Sequence, residues 1–564
     1  MWQRGHRRVT TGSTASEPLA QCLRYQPSSR DGPLRVSGRQ ASQNAPFEGP
    51  DARRDPKLPP EAGLKRMNRT PPHGVRVLQR FQIMRVGILT DFPSIVVQSG
   101  PALHTRFLHD GLKHRGHDVT LIGPDTNETA SVADVKSLLF KGHPYPSHPN
   151  VKVVVPSPLS RLANPPKMDV IHGQTNNHII EWANWVRKMH RTAVLNTNII
   201  HLPTHSHFIL SDKMYDNKVV REIAQQSAMN IEREFARMYN DGDCMIVQSR
   251  FMVDYWRERG VTVPIEVVGR PIDPSKFSKQ PTHDPYPTAA KPGARLVVVC
   301  RHDREKNLEQ LLEIFDEHIA PANPDATLTM IGGGHAHDHY VQLAAAGRHG
   351  DRVFFPGEIA HGDLVNWYAF GDVFVYTSLS ETFGNVVNEA LWTGLPVVAL
   401  DDRMGVAHQV MDGVNGFLIN PNRIDTDARF ARAVVGLIEN RELRRELGQH
   451  AASYARSMSA PEVVLSRFES IYDRAIKRVH DEVKVPLIEQ SKARQKYELG
   501  KALATWARYN YLLLAIGTAS FKLGLGRKEL DTSAVATQKP RESVLHDSGH
   551  FVRVEPGQVA EAAE

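Results

Sequence analysis

The chain has 564 residues, room for two or three domains at roughly 150 residues each. Hydrophobic residues at 41% and charged residues at 23% give an ordinary globular balance, and the formal charge of +7 is a small excess that a basic patch facing nucleotide phosphates or an anionic membrane would explain, but that the Arg-rich tails explain better, with no call on nucleic acid as a partner. The three cysteines, Cys22, Cys244 and Cys300, form no CxxC pair, which excludes a disulfide framework and a cysteine-based zinc site; Cys244 and Cys300 sit in apolar runs and read as small buried hydrophobes of a reducing, cytoplasmic compartment.

Residues 1–83 are rich in Arg, Ser, Pro, Gly and Gln, with too little apolar surface to offset the entropy of ordering. They read as a disordered extension or as an over-long start, because Met84 stands directly before the first strand; Glu17, Asp31, Glu48 and Asp51 argue against an organelle-targeting peptide. No apolar core of a signal peptide is present, and no uninterrupted apolar run reaches the ~18–20 residues of a spanning helix.

From Met84 the texture changes. RVGILTDF (85–92) predicts a buried strand, SGPALHTRFLHDGLKHRGH (99–117) a glycine turn into an amphipathic helix, and DVTLIGP (118–124) a second strand, which together make a βαβ unit. VKVVVP (151–156), MDVIHG (168–173), TAVLNTN (192–198) and DCMIVQS (243–249) extend the sheet, with a long helix over 218–239. VPIEVVGRPIDPSKF (263–277) closes this half, and the Pro-dense stretch 277–294 reads as a linker. A second series follows: strands at 294–301, 326–334, 352–357, 372–378 and 396–400, with helices between them. Two successive βαβ series predict an α/β chain of two Rossmann-like, doubly wound domains. The apolar spacing of 461–479 predicts the last core helix. Beyond it, 506–528 is apolar, flanked by basic residues and too short to span a bilayer; it reads as a docked helix or oligomer contact, with an interfacial membrane helix as the alternative, before a polar tail over 530–564.

The stretch SETFGNVVNEALWTGLPVVAL (380–400) follows a strand and opens a helix. Glu381 and Glu389 bracket the loop and the helix start, Gly384 permits a tight turn, and the free N–H groups around Phe383–Val386 would face a cleft from a helix N-terminus, an environment suited to phosphate. A Glu pair at a helix start often does no more than favour the helix dipole. A second group adds weight: CRHDREKNL (300–308) sets Arg301 at the carboxyl end of a strand with Lys306 on the following loop, where open α/β sheets bind ligands and where two cations would neutralise a diphosphate.

Arg301, Lys306 and the Glu381/Glu389 spacing resemble glycosyltransferase family 4, the "glycosyl transferases group 1", over about residues 84–479. SGPALHTRFLHDGLKHRGHDVTLIGP, with its glycine-containing loop and RGH-D-V ending, and DCMIVQSRFMVDYWRERGV with PIEVVGRPIDPSKF are similar to the family's first-domain segments. The resemblance implies the GT-B fold, with an acceptor domain over 84–277, a linker over 278–293, a donor-binding domain over 294–460, a closing helix over 461–480 and an extension over 481–564. It implies a retaining hexosyltransferase, independent of a metal and of cofactors, acting on a UDP- or GDP-sugar.

By the same resemblance, Arg301 and Lys306 would hold the diphosphate, Glu389 the ribose, and Glu381 would lie by the transferred sugar. Phe383, Gly384 and Asn385 would offer amides, and Gly100 would let the first-domain loop approach the diphosphate. His201, with His205 behind it, stands for the family's first-domain histidine, at a spacing that departs from the usual pattern. The cluster IGGGHAHDH (331–339) reads as a turn near the nucleotide at Gly332–Gly334, with Gly333 among the donor contacts, rather than as a metal site of His335, His337 and His339; GEIAHGDL (357–364) resembles the segment that reads the donor base. The expected partners are the sugar nucleotide and a lipid or saccharide acceptor, with peripheral contact at the inner face of the plasma membrane. A sugar-nucleotide epimerase of the same fold and a non-catalytic sugar-nucleotide-binding subunit are the rival readings. A dinucleotide dehydrogenase is disfavoured, because the first strand leads to DFPSIVVQSG and not to GxGxxG.

Overall fold

The computed structural model describes residues 82–504 and 507, apart from 92–99, 126–134, 146–147, 155–165, 176–178, 200, 202–217 and 483–484. Residues 1–81, the patch from 508 to 528, the tail beyond it and His205 lie outside the described residues.

Two parallel sheets carry the fold. In the first, β1 (Arg85–Thr90), β2 (Asp118–Pro124), β3 (Ser137–Phe140), β6 (Val170–Gln174), β7 (Ala193–Thr197), β8 (Cys244–Val247) and β9 (Ile265–Val267) lie in the order β3-β2-β1-β6-β7-β8-β9. In the second, β10 (Arg295–Val299), β11 (Thr327–Ile331), β12 (Val353–Gly357), β13 (Val373–Tyr376), β14 (Val397–Leu400) and β15 (Gly416–Ile419) lie in the order β12-β11-β10-β13-β14-β15. Each sheet therefore reverses its strand order once, between β1 and β6 and between β10 and β13, and a ligand crevice opens outside the carboxyl ends of the strands at such a point.

The strands are apolar on both faces, as a sheet covered by helices on both sides requires. In the first sheet, alternate residues serve different cores. Leu89, Val194 and Met245 pack with Trp182, Tyr239 and Trp256 on one face. Their neighbours Ile88, Leu195 and Ile246 pack with Leu108 and Leu112 on the other, against the helix Gly100–His114.

The stretch expected as a strand over 151–156 is placed otherwise. Its first residues form β5 (His148–Val153), which pairs antiparallel with β4 (His143–Tyr145) outside the parallel sheet. The connection between the two is two residues long, enough for antiparallel pairing, whereas a parallel neighbour needs a crossover of a dozen residues or more. The edge of the sheet is taken instead by β3, which pairs with β2.

The helix Pro461–Glu482 returns from the second lobe to close the first. Val464, Phe468, Ile471, Tyr472, Ala475 and Val479 recur at helical spacing and fill the same core as Ile88 and Leu195. Polar contacts fix its register. The buried Glu469 takes an ion pair from Arg115 and a hydrogen bond from His117 Nε2 at 2.9 Å, while His117 Nδ1 accepts from the Met84 amide at 3.1 Å. One turn on, Tyr472 is bonded to His172 Nδ1 at 2.7 Å, and His172 Nε2 to Thr197 Oγ1 at 2.7 Å. The two crossings between lobes run side by side: the Ile272 amide donates to the Ser459 carbonyl at 2.9 Å. Among the described residues no helix is long and apolar enough to cross a membrane.

Removing Glu469 leaves the buried His117 imidazole without its acceptor and takes the interior partner from Arg115, which keeps Glu462 and Ser466, so Glu469→Ala should lose about 2–3 kcal/mol in urea unfolding. Glu462→Ala, which removes an exposed partner of the same Arg115, should stay within about 0.5 kcal/mol. His172 supplies a pH signature. Burial pushes its imidazole down to about 3, so between pH 6.5 and 3 the unfolded chain takes up a proton that the folded chain refuses. Stability is full above pH 6.5 and falls as pH drops toward 3, by at most about 1.4 kcal/mol per pH unit for this one group. His172→Gln should flatten that slope in urea midpoints measured from pH 7 to pH 4.

Candidate active site

The loops after β10 and β13 meet at the switch point of the second sheet. The first runs from Cys300 through a turn of 3₁₀-helix, Arg304–Lys306, that ends on Asn307 in the left-handed conformation. The second runs from Thr377 to Gly384 and delivers Glu381. Lys306 Nζ donates to Glu381 Oε1 at 2.6 Å, and the same oxygen accepts from Tyr376 OH at 2.8 Å and Ser378 Oγ at 3.1 Å. Asn307 Nδ2 donates to the Thr377 carbonyl at 3.3 Å, and Thr377 Oγ1 donates to the Asn307 carbonyl at 2.9 Å, closing the loops on each other.

Both charged groups are buried, with side-chain exposures of 10% for Lys306 and 16% for Glu381. Burial alone would raise the Glu381 carboxyl; the Lys306 ammonium and the hydrogen bonds from Lys306, Tyr376 and Ser378 outweigh it and hold the group at about 2. Burial likewise works to lower Lys306, and the Glu381 charge and hydrogen bond, with Glu305 beside them, raise it instead. The pair is an ammonium and a carboxylate at neutral pH.

Arg301 stands outside this pair. Its side chain is half exposed and is held by Asp303 at 2.5 Å and Glu305 at 3.0 Å, so the two cations singled out in the sequence share one loop in different settings, one at the rim and one in the interior.

The helix Asn385–Trp392 begins at Gly384, whose φ of +84° and ψ of +69° lie in the left-handed region that favours glycine. No side chain caps this N-terminus, and its first turn holds no acidic residue, so its leading N–H groups and partial positive charge are left for another acceptor. Phe383 is buried, and its carbonyl accepts from the Gln409 side chain. Glu389 lies one turn along, buried, with Oε1 bonded to His361 Nε2 at 2.9 Å and Oε2 accepting from Tyr368 OH at 2.9 Å. Gly333 packs on Glu358 of the 357–364 segment, bringing those two stretches together, and its carbonyl accepts from the His302 amide at 2.7 Å. The three histidines of the IGGGHAHDH stretch diverge: His335 to Asp303, His337 to His302, His339 to Glu309.

In the first lobe, His201 is buried and its ring packs on Tyr255, with centroids 4.9 Å apart, in an aromatic cluster of that lobe. Gly100 opens the helix Gly100–His114 across the cleft from Asn385: a Cβ on Gly100 would stand 2.8 Å from Arg270 Nη1 and 3.3 Å from Asn385 Nδ2. Between these elements lies a cavity of about 580 Å³, lined by Gly100, His104, Arg270, Lys276, Asn385 and Glu389 among others. Sequence reasoning passed over Arg270 and His104. Their signal, an Arg in a Gly-Arg-Pro loop and a His on the apolar face of a helix, is no different from that of a surface charge and a core residue.

Known proteins resemble the chain in both lobes. Residues 99–276 match the family model described as Glycosyltransferase Family 4, and residues 282–454 match that of Glycosyl transferases group 1; together they take in more than half of the chain. The sulfoquinovosyl transferase SQD2 of Arabidopsis thaliana is 35% identical over 166 residues, 28% of this chain and 30% of that protein, so the chain spans under a third of that relative's length. The alpha-monoglucosyldiacylglycerol synthase of Streptococcus pneumoniae is 23% identical over 327 residues, 56% of this chain and 71% of that one. Among solved structures, a sucrose-phosphate synthase from Thermosynechococcus elongatus superposes with a TM-score of 0.53 at 19% identity, over 70% of this chain and 99% of the other, a likeness of fold. With a family match in each lobe, two doubly wound sheets and a cleft between them, the chain belongs to the group 1 glycosyl transferases, with the GT-B fold.

Proposed function

We propose that this protein is a retaining hexosyltransferase that moves a sugar from a nucleoside diphosphate sugar to a hydroxyl of a lipid or saccharide. One observation carries the reading: a buried lysine, already held by a carboxylate, stands at the switch point of the second sheet in the same loop cluster as an uncapped helix N-terminus. In this reading the diphosphate lies between Lys306, the rim cation Arg301 and the leading amides of Asn385–Trp392. Its ribose exchanges for His361 on Glu389. The transferred sugar lies by Glu381, whose three donors all converge on Oε1.

Breaking the anomeric C–O bond leaves a negative diphosphate and an oxocarbenium-like sugar. Preorganised positive groups stabilise the departing charge, and this reading requires no metal ion for that task. The acceptor hydroxyl attacks on the face the diphosphate leaves, and the leaving phosphate takes its proton, so no side chain is assigned as general base. Lobe closure excludes water and limits hydrolysis of the donor. The name of one relative, an alpha-monoglucosyldiacylglycerol synthase, supports a lipid acceptor, met from the cytoplasmic side of a membrane.

Lys306→Ala should lower kcat by about 10²–10³, the usual loss on removing one transition-state donor. It should also cost about 3–5 kcal/mol in urea unfolding, because it strands a buried carboxylate, and Lys306→Met/Glu381→Leu should cost less than the two single changes added together. Full turnover in Lys306→Ala, measured where the variant is folded, would sink the role assigned to it. The reaction class is read by incubating the protein with a panel of UDP- and GDP-hexoses, with and without lipid and soluble extracts. Mass spectrometry should show a hexose added to an acceptor. A new sugar-nucleotide isomer formed with donor alone would make the protein an epimerase.

A further inference from the structure

Among the described residues, one buried cation in the cleft has no ion-pair partner of its own. Arg270 lies between β9 and the short helical turn Pro274–Phe277, on the first crossing between the lobes. The residue is 8% exposed, its Nε is buried with no hydrogen-bond partner, and among the described residues no carboxylate forms an ion pair with its guanidinium. Glu381, the acidic group that acts on it electrostatically, is already held by Lys306. Burial lowers the guanidinium to about 10, which leaves it cationic at neutral pH. His104 lines the same cavity, 5% exposed, and both of its ring nitrogens are buried without partners. Burial, then the charge of Arg270, hold this imidazole neutral.

An unpaired buried cation destabilises the empty protein, and so does each unsatisfied polar atom. Here three such atoms, Arg270 Nε and both nitrogens of His104, belong to two side chains on one cavity wall, beside the N-termini of two helices, Gly100–His114 and Asn385–Trp392. Gly100 is the residue that lets the guanidinium in, since a Cβ there would stand 2.8 Å from Nη1.

We propose that Arg270, with His104 beside it and Gly100 against it, forms a phosphate seat on the first-lobe side of the cleft, complementary to the Lys306 side. The proposal deepens the transferase reading and names Arg270 as a substrate-binding residue beyond Arg301 and Lys306. The seated phosphate comes from one of two sources: the distal phosphate of the donor, or a phosphate carried by the acceptor.

The test is binding to the full chain, without turnover, so that it stands apart from the reaction class. Calorimetry compares UDP, UMP and uridine on the wild type, Arg270→Met and Arg270→Lys, and repeats with sn-glycerol 3-phosphate added to UDP-saturated protein. A distal donor phosphate predicts that Arg270→Met weakens UDP at least tenfold and UMP little, with partial rescue in Arg270→Lys. An acceptor phosphate predicts unchanged UDP and at least a tenfold loss for glycerol phosphate. Gly100→Ala should follow Arg270→Met in whichever arm responds. In either case Arg270→Met should unfold at the same or higher urea than the wild type, because it removes a cost of the empty state. If Arg270→Met is less stable and neither phosphate arm moves, Arg270 is structural and the proposal falls. Absence of any hexose added to an acceptor in the donor panel would refute the transferase reading and leave these binding arms standing.

Discussion

The contact between Lys306 and Glu381 fixes the geometry on which the second lobe depends. An ammonium and a carboxylate removed from water each carry a penalty of several kcal/mol, and a 2.6 Å contact with two further donors on the same oxygen offsets it. Each residue therefore makes the other tolerable. The consequence is positional: the pair ties the loop after β10 to the loop after β13, at the place where the sheet reverses its strand order and its carboxyl ends splay. Asn307 and Thr377 close the same gap with backbone and side-chain bonds in both directions. A cation held in this way cannot drift toward solvent when the cleft is empty.

The loop that carries Glu381 is supported from behind as well. The helix Gly405–Gln409 sends the Gly405 amide to the Glu381 carbonyl at 2.7 Å, and the Gln409 side chain to the carbonyls of Phe383 and Gly384. Asp402 accepts the Met404, Val406 and Ala407 amides at 2.9–3.0 Å and so anchors the start of that helix. Just before it, the Met404 carbonyl accepts from Ser249 Oγ of the first lobe at 2.6 Å. The Glu381 loop is thus bonded to an element that the first lobe also grips. A shift of one lobe against the other bears on the loop through a chain of short polar contacts.

How far this was legible in the sequence follows the range of the interactions. The strands of the second sheet are runs such as RLVVV and VFVY, buried on both faces, and their period and length are local properties of the chain. The helix Pro461–Glu482 was legible as amphipathic for the same reason. Its destination was not: the face that carries Glu469 and Tyr472 meets Arg115, His117 and His172, some three hundred residues or more away in sequence. Arg301, Lys306, Glu381 and Glu389 were found by type and spacing, but spacing could not say that Lys306 and Glu381 neutralise each other, or that Glu389 is already spanned by His361 and Tyr368. His201 was chosen on loop position, which could not say that its ring would lie against Tyr255. Arg270 was invisible because its meaning lies in the absence of a counter-charge, which only the folded chain exhibits.

The two walls of the cleft bury positive charge by opposite means, and the difference decides what an arriving anion feels. From a distance, the field of Lys306 is largely cancelled by Glu381, and the second-lobe wall offers mainly the end of the helix dipole and the rim guanidinium of Arg301. Arg270 has no such partner. A unit negative charge brought to about 4 Å gains roughly 4 kcal/mol at an effective dielectric constant of 20, with no bond to a carboxylate to be broken first. On the paired wall, an anion must share Lys306 with Glu381, whose charge repels it. Both the attraction and the repulsion grow with the anion's charge, so in the proposed reading the departing diphosphate is stabilised only if it lies nearer Lys306 than Glu381, and differential stabilisation of this kind is what accelerates a reaction. In the proposed reading, one wall meets an arriving anion with a guanidinium outside any ion pair and the other with a cation already held by a carboxylate, a division that follows from where the chain has placed a carboxylate and where it has withheld one.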